Sequence, residues 1–148
     1  MHNSILIALN DSVSARAALN FFTRLMLCPE NCHITLLHIF RKPTAAEELM
    51  GKKFTEEQPA RFKAMLEKAK DKLVEYGYNP HAIELLMVTD PYPTIAEAII
   101  DQCKKQHYDM VIVGRKKMTR AEEFVLGDVS AKLLRSLDRM GVLVVKSD

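Results

Sequence analysis

Four short runs, residues 4–9, 33–39, 110–113 and 142–145, constrain this chain most, because nearly every side chain in them is apolar. A strand with one wet face alternates polar and apolar residues, whereas a strand covered by helices on both faces has no such need. The runs therefore predict parallel strands between two helical layers. A fifth run, 82–88, is more mixed and suits a strand nearer an edge.

Between these runs the period changes to that of a helix. Ala15, Ala18, Leu19, Phe22, Leu25 and Met26 recur at three-and-four spacing, which predicts an amphipathic helix capped by Ser12 or Ser14 and ending near Cys28-Pro29. Residues 41–55 have mixed polarity. Thr55-Glu-Glu-Gln58 then reads as a capping box for a helix with Phe62, Met65, Leu66, Ala69, Leu73 and Tyr76 on one face and Pro59 in its first turn. Asp90-Pro-Tyr-Pro93 opens a third helix that carries Ile95, Ala98, Ile99 and Cys103. Its last turn holds Lys104 and Lys105, favourable against the helix dipole. Gly127-Asp128 opens a fourth, with Val129, Leu133, Leu134 and Leu137 inside. The order βαβαβαβαβ, with right-handed crossovers, predicts an open, Rossmann-like α/β sheet with helices on both faces.

The 148 residues fit a single domain, 1–148, large enough to bury a core without disulfide or metal staples. Basic residues number 21 and acidic ones 19, a net charge of +2, which gives no bulk basicity for nucleic-acid binding. Cys28, Cys32 and Cys103 form no CxxC pair. The count is odd and reads as a reduced, cytoplasmic chain in which Cys28 and Cys32 pack rather than cycle. The apolar runs are too short to span a bilayer and no leader pattern opens the sequence, so no membrane is expected. His2, His33, His38, His81 and His107 lack metal-ligand spacing.

Ligands of open α/β sheets sit outside the carboxyl ends of the strands. The loops to inspect are 10–12, 40–43, 89–93 and 114–128. Ile5-Leu-Ile-Ala-Leu-Asn-Asp-Ser12, His38 closing a strand, Asp109-Met-Val-Ile-Val-Gly114, Leu126-Gly-Asp-Val-Ser130 and Gly141-Val-Leu-Val-Val145 together resemble the universal stress protein domain from end to end. The resemblance implies a sheet ordered 3-2-1-4-5 and, as in many members, a homodimer formed by pairing the last strands through Val142, Leu143, Val144 and Val145.

Nucleotide-binding members of that family carry an acidic residue after the first strand and the pattern Gly-x-x-Gly, nine residues, then Gly-Ser/Thr. Gly114 matches the first glycine and Gly127 the third. Lys117 stands at the second glycine, Asp128 at the Ser/Thr, and Asn10 at the usual aspartate. Glycine lets backbone N–H groups close on phosphate oxygens, a freedom that Lys117 lacks. Asp128 can satisfy a helix N-terminus itself as its N-cap and repel an incoming phosphate. Against this, Arg115, Lys116, Lys117 and Arg120 supply cations that could hold phosphate where a backbone nest cannot. The departures tilt the reading toward weak or absent ATP binding.

The resulting expectation is a non-catalytic stress-response module, with no certain cofactor, acting through a protein partner. The competing reading is a nucleotide switch that takes ATP with Mg. Gly114, Gly127 and Ser130 would then touch phosphate beside Val129, Ile39 would lie against adenine, and Asn10 would bond a ribose hydroxyl. A phosphoacceptor receiver would need Asp11, Asp90 and Lys146 together. A hydrolase would need a Ser-Gly-Gly loop or a His-x-x-His motif, and the chain has neither. Ser12, Ser130 and Ser136 have no forced histidine and acid partners, and His38 is expected to pack rather than act as a base.

Overall fold

A computed structural model describes residues 2–25, 28–40, 45–90, 92–122 and 128–147, without the side chains of 47, 48 and 52–56. Five strands, β1 (Asn3–Ala8), β2 (Cys32–Ile39), β3 (Ile83–Val88), β4 (Met110–Lys116) and β5 (Gly141–Ser147), form one sheet. Their order is β3-β2-β1-β4-β5 and every pairing is parallel. This is the Rossmann-like order 3-2-1-4-5.

Consecutive strand residues go to opposite faces, and both faces are covered. Ile5, Ile7, Ile34, Leu36 and Ile112 pack with Ala15, Ala18, Leu19 and Phe22 of α1 (Val13–Arg24) and Leu66, Ala69 and Leu73 of α3 (Lys52–Glu75). Leu6, Leu37, Val111 and Val113 pack instead with Ile99 of α4 (Ile95–Lys105) and Leu133 of α5 (Val129–Ser136). This double burial is why the runs are apolar at nearly every position. Each fully buried Leu or Ile contributes about 1.5–3 kcal/mol to holding the layers together.

The strand ends are longer than the apolar runs. β4 continues to Lys116 because Gly114, Arg115 and Lys116 pair with Val145, Lys146 and Ser147 of β5, a ladder that needs no apolar side chains. α1 is capped by Ser12, whose Oγ accepts from the Ala15 amide at 3.1 Å, and it ends at Arg24 rather than near Cys28. Met26 lies outside the described residues.

Two helix starts differ from expectation. A short α2 (Ala45–Leu49) occupies part of the mixed-polarity segment, and α3 begins at Lys52 after Gly51, whose φ of +93° suits glycine. Thr55 is therefore already helical, and Pro59 lies within α3, exposed. α4 is capped by Thr94, whose Oγ1 accepts from the Glu97 amide at 3.2 Å, rather than by the Asp90 to Pro93 turn. The Thr94-Ile-Ala-Glu97 spacing is itself a capping-box pattern. Pro91 is outside the described residues. In α5 Ser130 and Leu133 take the buried face, with Leu137 packed just beyond the helix, so Leu134 is 61% exposed although the period placed it inside.

Candidate functional site

A cavity of about 110 Å³ opens at the carboxyl ends of β1, β2 and β4. Asn10, Ile39, Gly114 and Val129, all named from the sequence, line it together with Ser12, Ser14, His38, Ile95 and Ile99. Ligand pockets for drug-sized molecules run to about 300–1,000 Å³. The cavity between the described residues is smaller than that range.

Its walls come close for a structural reason. A Cβ placed on Gly114 would lie 2.1 Å from the Ser14 carbonyl oxygen and 2.9 Å from the Ala15 amide nitrogen. Gly114 therefore lets the first turn of α1 sit directly on β4, whatever it does toward a ligand. Asn10 Oδ1 accepts from the Ser12 amide at 2.9 Å and so folds the β1–α1 loop back on itself.

Asp128 caps α5. Its Oδ1 accepts from the Ala131 amide at 3.2 Å and from the buried Ser130 hydroxyl at 2.6 Å, while its Oδ2 meets Arg115 Nη2 at 3.0 Å. Burial alone would push this carboxyl up. The bonds from Ser130 and Ala131 and the Arg115 guanidinium outweigh it and hold the group below the usual carboxylate range. Ser130, expected to face phosphate, is thus committed to Asp128.

Lys117 is exposed, and its backbone N–H donates to the Ser147 carbonyl at 3.1 Å, extending the β4–β5 ladder. It does not line the cavity. Gly127 lies outside the described residues. The helix N-termini around the cavity are each met by a side chain of this protein: Ser12 on α1, Thr94 on α4 and Asp128 on α5. A salt bridge of 2.8 Å from Lys132 to Glu97 ties α5 to α4.

His38 is buried, and its Nδ1–H donates to the Leu9 carbonyl at 2.8 Å. Phe62 stacks on the imidazole at 3.9 Å between centroids, with Phe40 edge-on at 4.8 Å. Burial lowers the His38 pKa against the opposing pull of the Leu9 bond and Asp11. A neutral, sandwiched ring is suited to packing. The sequence suggests His38 as a packed residue and puts Phe62 on the inner face of its helix, but it gives no sign that the two rings stack, and Phe40 lies just past β2 where no period announces it.

The receiver arrangement does not form. β2 separates β1 from β3 and β4 separates β1 from β5, so Asp11, Asp90 and Lys146 share no site. Among the described residues no group of three His, Cys, Asp or Glu side chains could hold a metal ion. Cys32 is buried and its Sγ donates to the Cys28 carbonyl, while Cys28 is exposed. No described helix is long and apolar enough to cross a membrane.

No curated protein matches the chain. Among solved structures, a universal stress protein family protein from Arabidopsis thaliana with AMP bound aligns at TM-score 0.70 and 20% identity, over 99% of this chain and 92% of that one. A universal stress protein in complex with cAMP aligns at 0.68 and 16% identity, over 97% and 96%. One from Archaeoglobus fulgidus aligns at 0.66 and 16%, over 99% and 100%. At these identities the likeness carries the fold, but the model of the universal stress protein family matches residues 1–146, and the chain belongs to that family.

Proposed function

We propose that this chain is a non-catalytic stress-response module, one domain over 1–148, whose cleft is closed to ATP by its own side chains. The observation that carries the reading is the Asp128 carboxylate, held at the start of α5 by Ala131, Ser130 and Arg115. It occupies the helix N-terminus that would otherwise attract phosphate, and it engages the Arg115 guanidinium that would otherwise offer compensation. The small cavity agrees with this. The module acts in the cytoplasm through a protein partner or a second copy of itself.

Calorimetric titration with Mg-ATP tests the closure. Asp128→Ser keeps a capping oxygen and removes the charge, so it is expected to bind where the native chain does not. The bound AMP and cAMP of the two neighbours favour a second reading, a nucleotide switch in the same cleft. Micromolar Mg-ATP binding by the native chain selects that switch and overturns the closed cleft.

Self-association is read from β5, an edge strand of the sheet. Leu143 and Val145 pack toward the α1 and α3 layer, and Val142 and Val144 toward the α4 and α5 layer. What remains for a partner is the open backbone edge, which a two-fold mate would cover. Light scattering of the native chain is expected to give a dimer mass. A monomer mass at micromolar concentration rejects this assignment.

A further inference from the structure

α1 and α3 do not close fully over the sheet. Between them is a cavity of about 210 Å³ with Leu9, Leu19 and Ala69 in its floor and Arg16, Lys68 and Lys72 in its lining. The three floor residues are buried members of the core. Among the described residues no carboxylate lines this cavity, although acidic and basic residues are nearly equal in number over the chain.

The cations differ in what they already hold. Lys72 Nζ donates to Asn20 Oδ1. Among the described residues, Arg16 and Lys68 have no carboxylate within ion-pair distance. They also line an adjoining concavity with Asp11, Glu67 and Asp71, where Asp11 is taken by Arg61. An anion therefore gains most between Arg16 and Lys68 on the side of the carboxylate-free cavity, turned away from Glu67 and Asp71.

We propose that the groove between α1 and α3 binds a small amphipathic carboxylate, a medium-chain acyl anion. Its chain lies on Leu9, Leu19 and Ala69 and its carboxylate between Arg16 and Lys68. At about 30 Å³ per water volume the cavity equals roughly seven waters, room for about seven heavy atoms of an acyl chain whose carboxylate end lies at the rim by Arg16 and Lys68. Each methylene taken out of water favours binding about fourfold. A guanidinium and an ammonium give the carboxylate charge-assisted bonds that a neutral head could not receive. The groove shares Leu9 and Asn10 with the cleft at β1 and β4 but lies on the α1 and α3 side, whereas Ile99 and Val113 of that cleft belong to the opposite layer.

The probe is octanoate, titrated into the isotopically labelled chain while backbone amide shifts are followed, with acetate and inorganic phosphate as controls. Octanoate is expected to saturate with shifts confined to α1 and α3, and neither control to saturate over the same range. Arg16→Gln with Lys68→Gln, both exposed in the native chain, is expected to weaken octanoate about tenfold or more at unchanged melting temperature. The proposal is overturned if octanoate does not saturate, if the double variant binds as tightly as the native chain, or if shifts centre on Gly114 and Val129. Phosphate binding as tight as octanoate overturns it too, since the groove would then be a plain anion patch. None of these variants touches Asp128, so the outcome is independent of whether the nucleotide cleft is closed.

Discussion

α1 and α5 both begin at the carboxyl edge of the sheet, yet one is closed by a neutral cap and the other by a charged one. Ser12 Oγ accepts a single amide bond on α1 and meets the Ser14 hydroxyl at 3.1 Å. Asp128 on α5 accepts two bonds at one oxygen and an ion pair at the other. A neutral cap satisfies a donor and leaves the positive end of the helix dipole; a carboxylate satisfies the donor and cancels the dipole as well. On the function proposed above, it is the start of α5 that sets the capacity of this cleft for anions.

The largest effect is expected where α1 meets β4. Gly114→Ala drives a Cβ into the Ser14 carbonyl, a contact with backbone that no rotamer change relieves. The cost is expected to be about 3 kcal/mol, the upper end for overpacking, read as a lower urea midpoint. A native-like midpoint means that α1 can lift from β4 and that the cleft is softer than its folded volume.

Removal of the caps comes next and separates them by charge. Asp128→Ala loses the cap and leaves Arg115 without this carboxylate, at an expected cost of about 2 kcal/mol, against about 1 kcal/mol for Ser12→Ala. The two also differ in pH dependence. Because the folded-state pKa of Asp128 is depressed, its contribution is full above the ordinary carboxylate range and is lost as pH falls through the folded value. The stability gap between native and Asp128→Ala is thus expected to narrow in acid, while the gap for Ser12→Ala stays level. Denaturation at neutral and acidic pH checks both, and parallel gaps would remove the charged cap from the account.

Much of this was legible in the sequence because the relevant signals are local. Continuous apolar runs marked the buried strands, and Ser12 and Asp128 announced themselves as caps by residue type. What was hidden depended on non-local partners. The Arg115 in the basic run gave no sign that it turns onto Asp128, and Ser130 none that its hydroxyl is consumed there. The start of α3 was misplaced because Thr55-Glu-Glu-Gln58 is a genuine capping pattern overridden by a helix already under way from Gly51. Lys117 departs from the glycine pattern by its side chain, and what the sequence does not show is that its backbone N–H already serves the β4–β5 ladder.

The smallest expected effect follows from that last point and sharpens the contrast with Asp128. In a glycine loop the second glycine offers its amide to phosphate, but the Lys117 amide already donates to Ser147, and the side chain is exposed rather than in the cavity. Lys117→Gly keeps the same N–H and the same ladder bond, so it supplies no new donor. Its effect on Mg-ATP affinity in calorimetry is expected to stay within about twofold, in either the native or the Asp128→Ser background, and its stability cost within the ~1 kcal/mol of a glycine placed at a strand end. Both sequence departures once looked equivalent, each at a position that a phosphate loop requires. If Lys117→Gly alone opens the cleft to nucleotide, the ladder bond to Ser147 gives way in solution and the charge on Asp128 is not the closing element. If it changes nothing while Asp128→Ser does, closure belongs to the carboxylate at the start of α5.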